Sequence, residues 1–290
     1  MAIDSGQGLK YRVVKTIDTV RWGPSLCIAA TLLTGIALSL PLRHPVKLAL
    51  AIVLVLLGFI NVNLYNYFTD VTEDLENDRY NPVVDSRFST LIAGYLVVST
   101  LLVFVISAVW LSMFTLLLSA FGLLLGFVYS NRFFRFKDQF VVKNLTIGVG
   151  YGLVLLIFRS GVSGSLTTLD FVVALFFSFF SVTGSTTRDV FDVEGDRKSG
   201  VTTIPVKLGL TGTAYFLAAM SLLQLLSVVV PVAMGLIPSI YLTLVVVAPF
   251  LFKRPYYVYR EEVEKLTPKG IPGIVVTSVL LLALRVLLVW

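Results

Sequence analysis

The sequence predicts an all-α, polytopic membrane protein with about nine transmembrane helices. Three observations carry this. Of 290 residues, 57% are hydrophobic and 14% charged, against about 25% charged in soluble domains. The mean hydropathy is +0.90, so lipid must solvate most of the surface. Long apolar stretches with short polar breaks fill residues 26–290, and about 20 mostly apolar residues cross the hydrocarbon. Third, the basic residues gather in alternate connections.

Taken in order, residues 1–24 interleave Lys10, Arg12, Lys15 and Arg21 with Asp4 and Asp18. No short apolar core with a small-residue cleavage site follows them. They predict a cytoplasmic amphipathic segment on the membrane surface. Residues 25–290 form one membrane domain, with helices expected at 25–41, 46–68, 88–110, 113–129, 144–159, 168–187, 211–233, 236–252 and 271–290. The fifth is short and carries Gly148, Gly150 and Gly152, which suits close helix packing. Cys27, the single cysteine, excludes an intramolecular disulfide. Cys27 and His44 are read as structural, and Arg159 and Arg285 as snorkelling side chains.

With the N-terminus in the cytoplasm, 19 of 23 Lys and Arg residues fall on the cytoplasmic side, as the positive-inside rule requires. Arg43, Lys47, Arg159 and Arg285 are the exceptions. This split explains the net charge of +6 without nucleic acid. It places the protein in the cell membrane.

The acids are distributed more unevenly still. Of 17, six lie between Asp70 and Asp85 and four between Asp189 and Asp196. Each cluster follows the cytoplasmic end of a helix, the second and the sixth. Asn66, Asp70, Asp74 and Asp78 recur every four residues, about 400° of helix per step, and so form one drifting stripe. Asp189, Asp192 and Asp196 share a face by i, i+3, i+7 spacing. Like charges so placed repel and call for a cation. With a lone histidine on the other side of the membrane, zinc is excluded. Oxygen donors suit Mg²⁺, which uses one or two carboxylates plus substrate phosphates. The expectation is two acidic walls across a cavity, holding Mg²⁺ and a phosphorylated ligand with a greasy tail. Arg132, Lys137, Arg197 and Lys198 stand near enough to bind phosphate oxygens.

The paired motifs resemble the UbiA superfamily of intramembrane prenyltransferases, in which nine helices ring a central cavity. The family's N-x-x-x-D-x-x-x-D motif maps onto Asn66, Asp70 and Asp74, and its D-x-x-D-x-x-x-D motif onto Asp189, Asp192 and Asp196. The run from Glu194 to Gly209 is also similar to the family's, as are Tyr129, Ser130, Lys137 and Asn144 after the fourth helix. The chain departs from the pattern after the first motif. Asn81-Pro82-Val83-Val84-Asp85-Ser86-Arg87 stands where many members have Arg-Pro and a glycine.

The resemblance implies Mg²⁺-dependent transfer of a polyprenyl group from an allylic diphosphate to a lipophilic acceptor. The six motif residues would hold the metal, with Asn66, Asp70, Asp74, Asp189 and Asp192 catalytic. Arg132, Lys137, Lys198 and Asn144 would bind the diphosphate, and an aromatic-lined cavity would shelter the carbocation. The resemblance leaves the acceptor open among aromatic acids, quinone precursors, chlorophyllides, glycerol-phosphate ethers and carotenoids; the second motif and loop resemble those of members that join geranylgeranyl diphosphate to geranylgeranylglyceryl phosphate. The expected partners are these two substrates and membrane lipid, with no nucleic acid and no obligatory protein partner. Two rivals remain: a prenyl-diphosphate hydrolase or cyclase on the same scaffold, and an ion-coupled transporter. A transporter should carry its acids near the bilayer midplane, whereas these sit at the cytoplasmic helix ends.

Overall fold

The computed structural model describes residues 22–76, 81–198, 200–266 and 271–289. Residues 1–21 of the expected amphipathic segment, and Asp78 with Arg79, lie outside these. Among the described residues every regular element is helical. The long ones are α1 (Trp22–Leu38), α2 (Pro45–Thr69), α3 (Ser86–Val105, continued by a π turn Ile106–Leu111), α4 (Met113–Ser130), α5 (Val142–Ser163), α6 (Thr168–Phe191), α7 (Ile204–Ala233), α8 (Ala248–Tyr259) and α9 (Ile271–Val289).

From α2 through α7, with the π turn included in α3, each helix is long and apolar enough to cross a membrane. α1 and α9 carry shorter apolar stretches, Pro24–Leu38 and Val275–Leu288. The segment expected at 236–252 is not one helix. A 3₁₀ run, Ser239–Val247, leads into α8, which has a proline in its first turn and Pro255 inside. Proline lacks the N–H that a regular α-helix needs and crowds the preceding turn.

Local chemistry sets the helix starts. Asp85 accepts from the Arg87 amide at 3.0 Å to open α3. Ser112 accepts from Thr115 at 3.0 Å to open α4. Thr167 and Asp170 form a capping box on α6. α7 breaks at Gly209, where φ is +67°, a conformation cheap only for glycine.

The fifth helix is longer than expected and central. Its glycines explain why. A Cβ on Gly148 would lie 2.8 Å from the Ser178 carbonyl of α6, and one on Gly152 3.1 Å from that of Ala174. Only glycine permits this approach of α5 to α6. α5 also packs on α1, α2 and α4, while α7 packs on α6 and α8. α9 packs on α1 and on the 3₁₀ run, so the last helix meets the first.

Unlike a soluble bundle, the exterior is apolar as well as the interior. Leu91, Val97, Leu117 and Leu124 face outward. Inside, hydroxyls join helices: Ser99 donates to Asn61 at 2.5 Å and Thr115 to Ser160 at 3.0 Å. The interior cluster includes Leu155, Phe176, Phe177, Phe180, Tyr241 and Leu281. Phe176, Phe177, Phe180 and Thr277 close around a crevice too tight to hold a water molecule.

Arg159 and Arg285 do not snorkel. Arg159 is 7% exposed; it donates to Asp170 at 2.6 Å and to Ser39 at 2.6 Å. Arg285 donates to the Leu40 carbonyl at 2.9 Å. Inward polar partners outcompete the route to water because the surrounding face is lipid, not solvent. Asp170 carries no chemistry, but its loss would strand a buried guanidinium. Asp170→Asn should therefore cost roughly 3 kcal/mol, read as a lowered Tm in detergent, and an unchanged Tm would refute the staple.

Candidate active site at the ends of α2 and α6

Both acidic motifs share one backbone design. α2 runs until Asp70, which closes it with φ −104° and ψ 6°. Its N–H bonds the Asn66 carbonyl at 2.9 Å, and its own carbonyl accepts from Asp74 N–H at 2.8 Å. A six-residue helix, Val71–Glu76, follows. α6 runs until Asp192, with φ −99° and ψ 5°. Asp192's carbonyl accepts from Asp196 N–H at 2.8 Å, and another six-residue helix, Val193–Lys198, follows. The repeat that the letters conceal is plain in the backbone. Each stripe bends at an aspartate held in the sparsely populated bridge region, where active-site residues often sit.

The side chains are held from all sides. The buried Asn66 accepts at Oδ1 from Ser130 Oγ, at the end of α4. Asp70 Oδ1 accepts from Lys137 Nζ at 2.6 Å and from Thr69 Oγ1 at 2.8 Å. Asp74 Oδ2 accepts from Asn81 Nδ2 at 3.0 Å. That amide also donates to the Tyr67 carbonyl at 2.8 Å. The departure after the first motif thus has a function: buried Asn81 ties the loop back onto Asp74.

Asp189 is 2% exposed. Its Oδ1 accepts from Lys143 Nζ at 2.6 Å and its Oδ2 from Asn144 Nδ2 at 3.0 Å. Asn144 also donates to Ser185 at 2.6 Å, while its own Oδ1 is buried without a partner. Asp196 Oδ2 accepts from Thr203 Oγ1 at 3.1 Å. Burial pushes the Asp196 carboxyl above the ordinary carboxylate range; Lys143 and Thr203 oppose this, while Asp189 and Asp192 add to it. Asp192 itself is exposed.

One loop serves both motifs. Residues 131–141 join α4 to α5, sending Lys137 to Asp70 and, just past the loop, Lys143 to Asp189. Each lysine lies two residues after a positive-φ residue, Arg135 at +40° and Val141 at +59°. A β-branched residue there is an outlier that the surroundings must enforce. Arg135 pairs with Asp138, and Lys207 Nζ stands 4.3 Å over the Phe140 ring, which anchors the loop to α7.

Of the residues expected to bind diphosphate, Lys137 and Asn144 therefore reach the motif carboxylates. Arg132 and Lys198 are exposed and make no bond to the motifs among the described residues. Sequence reasoning gave no role to Lys143 or Thr203, and it named Ser130 and Asn81 without seeing what they hold. Lys143 stands beside Asn144 in the sequence, yet its role appears only once α5 is set against α6.

Among the described residues no three Asp, Glu, His or Cys side chains converge on a metal-sized point. The six expected ligands therefore make no finished cage. The donors still fit Mg²⁺: all are oxygens, and two of the carboxylates already carry an ammonium group at 2.6 Å. Substrate phosphates would complete the shell, as is usual for this ion.

The sequence profile of the UbiA prenyltransferase family matches residues 28–269. Digeranylgeranylglyceryl phosphate synthase of Haloquadratum walsbyi is 27% identical over 196 residues, covering 65% of either chain. The enzyme of the same name from Natronomonas pharaonis is 24% identical, covering 82% of this chain and 84% of its own. The first of these matches spans slightly under two thirds of the relative. A UbiA homologue from Archaeoglobus fulgidus, solved with DMAPP and Mg²⁺, superposes with a TM-score of 0.72 at 16% identity, covering 93% of this chain and 96% of that one. A structure from work on digeranylgeranylglyceryl phosphate synthase gives 0.69 at 18%, covering 90% and 93%.

Proposed function

The chain belongs to the UbiA prenyltransferase family, and from that premise we propose that it transfers a geranylgeranyl group from geranylgeranyl diphosphate to geranylgeranylglyceryl phosphate. It is an integral membrane enzyme, and its site faces the cytoplasm in this reading. The observation that carries the proposal is the matched pair of helix–aspartate–short-helix units, joined by a loop that gives each one a lysine. The curated relatives with this acceptor in their name support the choice of substrate.

In the reaction the bond between C1 and the diphosphate oxygen breaks, and its electron pair leaves with the diphosphate. The acceptor hydroxyl then bonds C1 and yields its proton to an oxygen at the same mouth. Mg²⁺, when bound, would neutralise charge on the leaving group. Asn66, Asp70, Asp74, Asp189, Asp192 and Asp196 would hold it. Lys137 and Lys143 are positioned to turn from Asp70 and Asp189 to the diphosphate oxygens, which places preorganised positive charge where negative charge develops. Asn81 and Asn144 orient the carboxylates.

The test is to incubate purified protein with Mg²⁺, labelled geranylgeranyl diphosphate and geranylgeranylglyceryl phosphate, and to identify the product by mass spectrometry. A labelled diether phosphate is expected. Labelled geranylgeraniol or a cyclised hydrocarbon would instead assign a hydrolase or cyclase. Unaltered diphosphate accumulating inside proteoliposomes would assign a carrier.

A further inference from the structure

We propose that Arg254 binds the phosphate of the acceptor, and that Thr183 orients it. The inference rests on the function proposed above and assigns a second anion site, separate from the diphosphate site between the acidic motifs.

Arg254 lies on α8 and turns into the bundle. Its Nη1 donates to Thr183 Oγ1 on α6 at 3.0 Å. Its guanidinium carbon stands 5.1 Å from the centroid of the Phe180 ring. Nη1 also runs beside Gly184, 3.8 Å from where a Cβ would be. No carboxylate of the described residues pairs with Arg254.

Lys137, Lys143, Arg135, Arg159 and Lys265 each pair with a carboxylate. Arg188, Lys207 and Lys253 do not, but all three are exposed, whereas Arg254 is partly buried. Arg285 does not, but it donates to the Leu40 carbonyl near the opposite end of the bundle. A guanidinium offers five N–H donors, of which Thr183 takes one. Holding such a group partly buried without a counter-ion carries a cost, and the arrangement is explained if an anion completes it during the reaction cycle. One turn further along α6, the Thr186 hydroxyl is fully buried and has no partner. It shares the face of Thr183 and Thr187 by i, i+3, i+4 spacing.

Placement favours the acceptor. Thr183 precedes Asp189 by six residues on α6, about 9 Å along the axis. The diphosphate belongs at the acidic motifs. The acceptor phosphate sits two carbons from the attacking hydroxyl, so it must lie near that position yet away from the leaving group. Arg254 satisfies both demands, and its planar fork suits bidentate phosphate contacts.

The experiment compares two acceptors, geranylgeranylglyceryl phosphate and the uncharged geranylgeranylglycerol, in wild type, Arg254→Gln and Arg254→Lys. Arg254→Gln should raise KM for the phosphorylated acceptor by about 10–10²-fold, the worth of charge-assisted hydrogen bonds. It should leave KM for the prenyl diphosphate, and turnover of the uncharged acceptor, within about twofold of wild type. Arg254→Lys should show the same selectivity at a smaller size; if Arg254→Gln fails to fold, this variant decides alone. Equal losses with both acceptors would overturn the inference and leave a structural arginine. A raised KM for the donor would overturn it in favour of diphosphate binding. In both cases wild-type transfer still stands. If wild type transfers to neither acceptor, the proposed function fails first and this inference falls with it.

Discussion

Turnover should vanish in EDTA and return in full when Mg²⁺ is restored. The carboxylates of the two motifs are held by lysines and amides, and no three acids of the described residues close on a point. Such a site should bind the free ion weakly. It should bind ion and diphosphate together, because each supplies what the other lacks: carboxylate oxygens from the chain and phosphate oxygens from the substrate. Mn²⁺ in place of Mg²⁺ makes this visible without turnover. Its electron paramagnetic resonance signal should change strongly only when protein and prenyl diphosphate are both present. Full activity in chelator would overturn the metal reading. Strong Mn²⁺ binding without diphosphate would reveal a preformed cage and overturn the shared-shell argument.

The acidic stripes were legible because their spacing is a property of the helix itself. Asn66 and Asp70 at the end of α2, and Asp189 and Asp192 at the end of α6, stand one turn apart before each stripe bends. The long apolar segments were legible for a similar reason, since bilayer thickness fixes their length. What was hidden depends on other elements. The bends at Asp70 and Asp192 arise from single backbone conformations that helical spacing does not encode. Lys143 becomes a partner of Asp189 only because Gly148 and Gly152 let α5 lie against α6. Arg159 read as a snorkelling residue because its partner Asp170 belongs to the next helix, eleven residues on. The broken eighth segment was written in its prolines, but high hydropathy masked it. Arg254 counted as one more cytoplasmic charge until Thr183 and Phe180 were seen to receive it.

Asp70→Asn and Asp189→Asn should each lower kcat by at least about 10²-fold, through lost stabilisation of leaving-group charge. The geometry makes the prediction sharper than the motif alone. Asp70 and Asp189 hold matching partners, each a lysine at 2.6 Å, one in the α4–α5 loop and one just past it. If one substrate complex spans both, neither half works alone. The two single losses should then be similar, and the Asp70→Asn, Asp189→Asn double variant should be little worse than either, as for residues that act as a unit. Folding should survive, because asparagine keeps the shape and Lys143 is exposed enough, at 22%, to reach water. Glu262→Gln is the control: it breaks only the pair with half-exposed Lys265 and should leave kcat within about twofold, since surface pairs contribute little. Losses that multiply in the double variant would mean that the motifs serve separate steps. Losses no larger than that of Glu262→Gln would mean that the acidic ends of α2 and α6 carry no chemistry.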